Sequence, residues 1–271
     1  MKIRTSCLLS GLLLTLPAPL ALAVEVQLPL PPAEDFSSTI SNPYWPLPLG
    51  ASFRYLAETE DGCEYNKITV LRDTDTVMGY PVLTVRDQAW IHEPEEDADC
   101  DPAQAVLEED TLDYYAQDSA GNVWYFGEDT LSYDDEGMCT DEGSWLAGDD
   151  AEPGLVMLAM PEAGMRYRQE FKEDEAEDWG AVKGTHAEVH IALGDYSNCL
   201  VIKEWTPLDP GSVEHKYYCP EPGNPGPGLV FIEELHGKTV KVEYVGMGDF
   251  GIPGEFTDFP ALVCPAPSSH F

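Results

Sequence analysis

The sequence predicts an all-β protein: a curved antiparallel sheet or incomplete β-barrel, in a single domain with proline-rich segments at both ends. Three observations carry this. Short runs rich in Val, Ile, Tyr, Trp and Thr recur with period-two alternation. Gly, Pro, Asp and Asn clusters separate them and read as turns. No segment shows a convincing apolar stripe at helical spacing.

Taken in order, the elements begin with a secretory signal over residues 1–23. Lys2 and Arg4 precede the apolar run CLLSGLLLTLPAPLALA, which ends in the small-x-small pattern Ala21-Leu22-Ala23. The run is short and broken by Pro17 and Pro19, so a membrane span is not expected, and no later run approaches bilayer length. Cys7 lies early in the run, away from the cleavage site, so lipid anchoring there is not expected either. The expectation is a soluble secreted or periplasmic protein starting near Val24.

Residues 24–41 read as an extended Pro/Ser-rich arm. A β-rich domain over 42–246 opens with NPYWPLPLG, where proline favours extended chain and Tyr44 and Trp45 serve as a plug against the core. Hairpins follow. YNKITVLR and YPVLTVRDQAWI flank the loop DTDTVMG, and TLDYYAQ and NVWYFGE flank DSAG. NCLVIKEW and VEHKYYC flank TPLDPGS, and GLVFIEEL and KTVKVEYVG flank His236-Gly237. THAEVHIAL alternates cleanly, while EFKEDEAEDWGAV reads as strand, acidic loop, strand. EPEEDADCD and SYDDEGMCTDEGS are acidic loops, PEPGNPGPG is an insertion, and 247–271 is a Pro-rich tail.

Fifty acidic residues face fourteen basic ones, a formal charge of −36. Such a surface repels phosphates and anionic lipid, which argues against a nucleic-acid role. It serves either solubility or cation binding. Six cysteines follow the signal, an even count that suggests disulfides in an oxidising compartment. The absence of a CxxC pair disfavours zinc. A hairpin centred near Asp209 places Cys199 opposite Cys219, within reach of a cross-strand bridge. Extending the 111–128 hairpin places Cys100 within one residue of Cys139, which leaves Cys63 and Cys264 as the remaining pair.

The stretch TLDYYAQDSAGNVWYFGEDT is the first candidate site. Folded about Ala120, it puts Leu112, Tyr114, Ala116, Trp124 and Phe126 on one face, and Asp113, Tyr115, Gln117 and Tyr125 on the other. Tyr114, Trp124 and Phe126 could line a concavity for an apolar or carbohydrate ligand, or simply pack as core. Asp118 and Asn122 read as turn residues rather than a calcium loop, since the full acidic spacing is missing.

In THAEVH, His186, Glu188 and His190 share one face of a strand and could ligate a divalent cation such as zinc or copper. A solvated polar face is the alternative. His215, opposite Lys203, with Glu204 or Glu214 nearby, could act as the base of a hydrolase, or be a structural histidine. No G-x-S-x-G, H-E-x-x-H, P-loop or Rossmann pattern occurs.

The strings NPYWPLPLGASFRY, EEDTLDYYAQDSAGNVWYFGEDT, GSWLAG, PGLVMLAMPEAGMRYRQEF and KEWTPLDPGSVEHKYY resemble those of a widespread family of exported bacterial proteins of unknown function. They span most of residues 42–246. The resemblance implies a secreted, β-rich single domain and no established reaction. The sequence as a whole points to an exported, non-enzymatic protein that binds a small molecule or metal ion or has a structural role in the envelope. A cation-binding protein and a hydrolase are the alternatives.

Overall fold

The computed structural model describes residues 23–59, 62–94, 99–134, 137–148, 150–220, 226–253 and 255. Outside them lie the expected signal segment, parts of both acidic loops, the middle of PEPGNPGPG, and the end of the tail with Cys264.

The described chain is almost wholly β, as the alternation predicts. The arm contributes β1 (Val24–Glu25) and β2 (Phe36–Ser37). The first half of the domain holds β3 (Ser52–Glu58), β4 (Cys63–Val77), β5 (Tyr80–His92), β6 (Val106–Asp118) and β7 (Val123–Tyr133). Short strands β8 (Cys139–Thr140), β9 (Trp145–Leu146), β10 (Ala151–Met157), β11 (Met165–Arg168) and β12 (Glu170–Lys172) follow. The second half is β13 (Trp179–Ile191), β14 (Gly194–Trp205), β15 (Val213–Cys219), β16 (Gly228–Glu234) and β17 (Val240–Met247).

The strands form one large open sheet that is not closed into a barrel. Antiparallel pairing runs β13–β14–β15–β16–β17–β3–β4–β5–β6–β7–β10. One segment then meets both ends. Its first half, β11, pairs with β13 (Arg166↔Ala181, Arg168↔Trp179), and its second half, β12, pairs with β10 (Ala151↔Lys172, Pro153↔Glu170). The sheet is therefore strongly curved. Gly154 permits this seam: a Cβ there would lie 2.0 Å from the Gln169 carbonyl oxygen.

The hairpins hold their expected register. Lys203 lies opposite His215, and Ala116 opposite Trp124. One turn is shorter than expected. DTDTVMG is not a loop: β4 runs on to Val77, and the reversal takes only Met78 and Gly79, at φ 54° and 84°. Two central residues with positive φ match the strand twist, and the threonines upstream favour strand. EFKEDEAEDWGAV forms β12, a turn and the start of β13.

The arm is tied down rather than free. Phe36 pairs with Asp118 of β6, and β1 runs parallel to β11. Asn42 Nδ2 donates to the carbonyls of Gly121 (2.9 Å) and Leu158 (3.2 Å). The region after β17 is held by Lys67, a buried ammonium paired with Asp249 (2.5 Å) and Glu255 (3.0 Å).

Cys199 and Cys219 form a disulfide across the β14–β15 hairpin, with Cα atoms 4.2 Å apart. The expected Cys100–Cys139 pair does not form. Cys100 bonds Cys63 instead, over a Cα separation of 6.0 Å, which also removes the Cys63–Cys264 remainder. Cys63 lies opposite His92 at the end of the β4–β5 hairpin, so the chain leaving β5 folds back onto it. Cys139 lies at the far end of β7, opposite Tyr133; it too is disulfide-bonded.

The seam predicts an asymmetry between two glycines. Gly154→Ala places a methyl against backbone and should cost about 1–3 kcal/mol. Gly148→Ala, whose Cβ would meet nothing closer than 3.9 Å, should stay within about 0.5 kcal/mol of the parent. Urea unfolding of both variants measures this.

Candidate functional site

Successive residues of a strand face opposite sides of the sheet, so the β6–β7 hairpin has two faces with different fates. On the outer face, Trp124 and Phe126 are 3% and 0% exposed and Tyr114 is buried. Phe36 from the arm packs edge-on against both Trp124 (6.0 Å between ring centroids) and Phe126 (5.8 Å), and Tyr80 covers Phe126 at 5.1 Å. Tyr114, Trp124 and Phe126 are thus packed in the core, and Trp124 also borders a separate open cleft with Arg166, Arg168, Trp179 and Trp205. The arm made the difference, and nothing local to the hairpin sequence shows where the arm lies.

The inner face carries a cavity of about 350 Å³, within the size range of small-molecule pockets. It is lined from strands β3, β4, β5, β6, β15, β16 and β17 and from the plug segment after the arm. One part of the wall is aromatic. Trp45 packs against Tyr218 (5.3 Å) and Tyr115 (5.7 Å), so Trp45 does act as a plug. Tyr55 and Phe53 extend this wall, and the Tyr55 hydroxyl donates to the Leu229 carbonyl at 3.1 Å.

The other part is acidic, with Glu64, Asp87, Glu108, Asp113 and Glu234. Lys216 is the one cation among the described lining residues. Its ammonium bonds Glu204 (2.7 Å) and Glu214 (3.2 Å). Burial pulls its pKa down, but those two carboxylates outweigh burial and hold it well above the usual lysine value.

The carboxyls respond to the same confinement. Burial, then the nearby Glu109, pushes Asp87 up to about 7 against a hydrogen bond from Asn66 Nδ2 at 2.5 Å. Asp113 is raised well above the usual range by burial and then by Asp87 and Glu128; it accepts from Tyr125 Oη at 2.6 Å. Glu128 rises to about 7, chiefly through burial. Burial also raises Glu64, and it raises Glu234 with help from Glu214 and Glu64.

Sequence reasoning passed over these residues. Asp113 and Tyr115 had been assigned to the face opposite the aromatic triad, but no role was seen for them. The readable signal was alternation: Asp113 and Tyr115 on β6, like Lys216 and Tyr218 on β15, fall at every second position and share a face. Asp87 carried no such cue.

The metal candidate does not assemble. His186, Glu188 and His190 are all exposed on β13, where register shifts interrupt the pairing with β14. His190 Nδ1 instead bonds Asp195 at 2.7 Å. Among the described residues, no three His, Cys, Asp or Glu side chains come together as a metal site. His215 neighbours Lys216 on β15 and so faces away from the cavity, 3.8 Å from Glu233. The Asp118 carboxylate is used up by its own turn. Oδ1 accepts from the amides of Ala120 and Asn122, both at 2.9 Å, and Oδ2 from Asn122 Nδ2 (2.8 Å) and Trp124 Nε1 (2.9 Å).

No protein-family model matches the chain, and no curated protein is similar to it. Among solved structures, a candidate lipoprotein of Parabacteroides distasonis is similar at a TM-score of 0.36 and 9% identity, over 76% of this chain and 98% of that one. A likeness at that level carries no weight for fold or function.

Two expectations follow from this geometry. A carboxyl whose pKa is raised by folding binds its proton more tightly in the native state. The stability this contributes is present below the ordinary Asp value of 3.8 and is lost as pH rises through about 7. The melting temperature should therefore fall between pH 5 and 8, and Asp87→Asn should flatten that fall and raise the melting temperature at pH 8. Separately, Asp118→Ala strands the Trp124 and Asn122 donors and should cost about 3 kcal/mol, read by denaturant unfolding. Added calcium should leave the parent's melting temperature unchanged.

Proposed function

We propose that this chain is an exported binding protein that holds a small organic molecule in the cavity on the inner face of its sheet. One observation carries the reading: a volume of about 350 Å³ is left open beside side chains as large as Tyr55 and Tyr218, which are themselves almost wholly buried. Protein interiors are otherwise close-packed, and a pocket joining apolar wall to a few convergent polar groups is the usual form of a ligand site. Export is supported by the bonded state of Cys63, Cys100, Cys139, Cys199 and Cys219, a pattern of oxidising compartments. The basic and apolar N-terminal segment supports it too, as does the resemblance to exported bacterial proteins.

A thermal-shift and NMR screen of small organic compounds against the oxidised mature chain tests this. A compound present at about 100 times its Kd should stabilise the protein by about 2.7 kcal/mol. Ile232→Trp, which fills the cavity from β16, should abolish the shifts while circular dichroism stays unchanged. Shifts that survive in Ile232→Trp, or a screen with none, would overturn the reading.

A further inference from the structure

The cavity's chemistry is lopsided. Four of its carboxylates, Glu64, Asp87, Asp113 and Glu234, have no ion-pair partner among the described residues; the Asp87 and Asp113 side chains accept from neutral donors, Asn66 and Tyr125. Lys216 is already committed to Glu204 and Glu214. Asp113 is buried and the other three are half-buried; charge withdrawn from water is costly unless paired, so these carboxyls ionise readily only beside an added cation. In a chain of fifty acids a group of carboxylates alone would mean little. Here they open onto a cavity whose opposite wall is aromatic. Trp45, a half-buried side chain, lines that cavity, and its buried indole Nε1 has no hydrogen-bond partner among the described residues.

We propose, resting on the reading of the cavity as a ligand site, that its ligand is a small organic cation: a protonated amine with an apolar body and a hydrogen-bond acceptor. The ammonium group sits among Glu64, Asp87, Asp113 and Glu234. The body lies along Trp45, Tyr115 and Tyr218, where ring faces attract cations and apolar surface is removed from water. The acceptor meets the Trp45 N–H. A bare metal ion fits less well, because the carboxylates are spread around the wall rather than gathered into a coordination set. An anion would hold these carboxyls in their neutral forms, and a neutral molecule would offer them no counter-charge, so only a cation draws on their ionisation.

The proposal has a proton signature. The groups around the acidic wall are Glu109, Glu128, Glu170, Asp178, Glu204, Glu214 and Lys216, and of these only Lys216 is a cation. An ammonium among them favours ionised carboxylates, so binding should expel protons and tighten as pH rises.

Isothermal titration of the oxidised mature chain with choline, tyramine, putrescine and spermidine, at pH 6 and pH 8 and in buffers of different ionisation heat, tests it. At least one amine should bind saturably, release protons, and tighten several-fold from pH 6 to 8. Asp87→Asn should weaken it at least tenfold while remaining folded. Neutral matches, 1,4-butanediol and 4-ethylphenol, are titrated alongside. Binding of the neutral compounds but of no amine would overturn the cation and leave the ligand cavity standing. Amine binding indifferent to pH and to Asp87→Asn would overturn it equally. No binding by either set, together with an empty compound screen, would overturn both readings.

Discussion

The seam at Met165–Lys172 is the constraint on which the rest of the molecule depends. A flat sheet of this many strands would leave each face to find its own cover. Because one short segment hydrogen-bonds to β13 with its first half and to β10 with its second, the sheet must curl, and its inner face becomes an interior. That interior is lined by strands of the sheet together with the plug segment of Tyr44, Trp45, Pro46 and Leu47, so its centre is shaped by which side chains meet there. Large rings fill most of it and leave one gap. Gly154 and the carbonyl of Gln169 approach so closely that the curl has little freedom to relax.

How far the sequence spoke for itself follows from the range of each interaction. Alternation and turn chemistry act over a few residues, so the β6–β7 and β14–β15 hairpins were legible down to the opposition of Ala116 with Trp124 and of Lys203 with His215. The division of the β6–β7 hairpin into two faces was legible too. Which face would hold an opening was not. That choice belongs to Phe36, more than seventy residues earlier in the chain, which covers the aromatic side and leaves the Asp113 side to the cavity. The Cys63–Cys100 bond escaped for a related reason. Hairpin symmetry pairs residues at equal distances from a turn, whereas Cys100, beyond the end of β5, bonds Cys63 at the start of β4.

The charge of −36 also divides into two populations. Most acids are on the surface, where water and salt screen them. A minority is folded inward around Lys216, where screening is weak and every added charge is felt by its neighbours. Burial and mutual repulsion raise the pKa of Asp87, Asp113, Glu128 and Glu170, which is how an interior can hold so many carboxyls. Residues that looked chemically promising, such as His186, Glu188, His190 and His215, lie outside this inner group. They are solvated or paired with a single neighbour.

The ties that finish the structure join residues far apart in the chain. Asn42 bonds Leu158 across 116 residues, Tyr55 bonds Leu229 across 174, and Lys67 bonds Asp249 across 182. Contacts of such span are formed late and slowly. Asn42 and Tyr55 precede β10 and β16 in the chain yet find their partners at those strands, and Lys67 finds its acids only after β17. A chain that stops short of these partners lacks all three ties. The two halves of the sheet are thereby made to depend on each other, since each holds groups that only the other can satisfy.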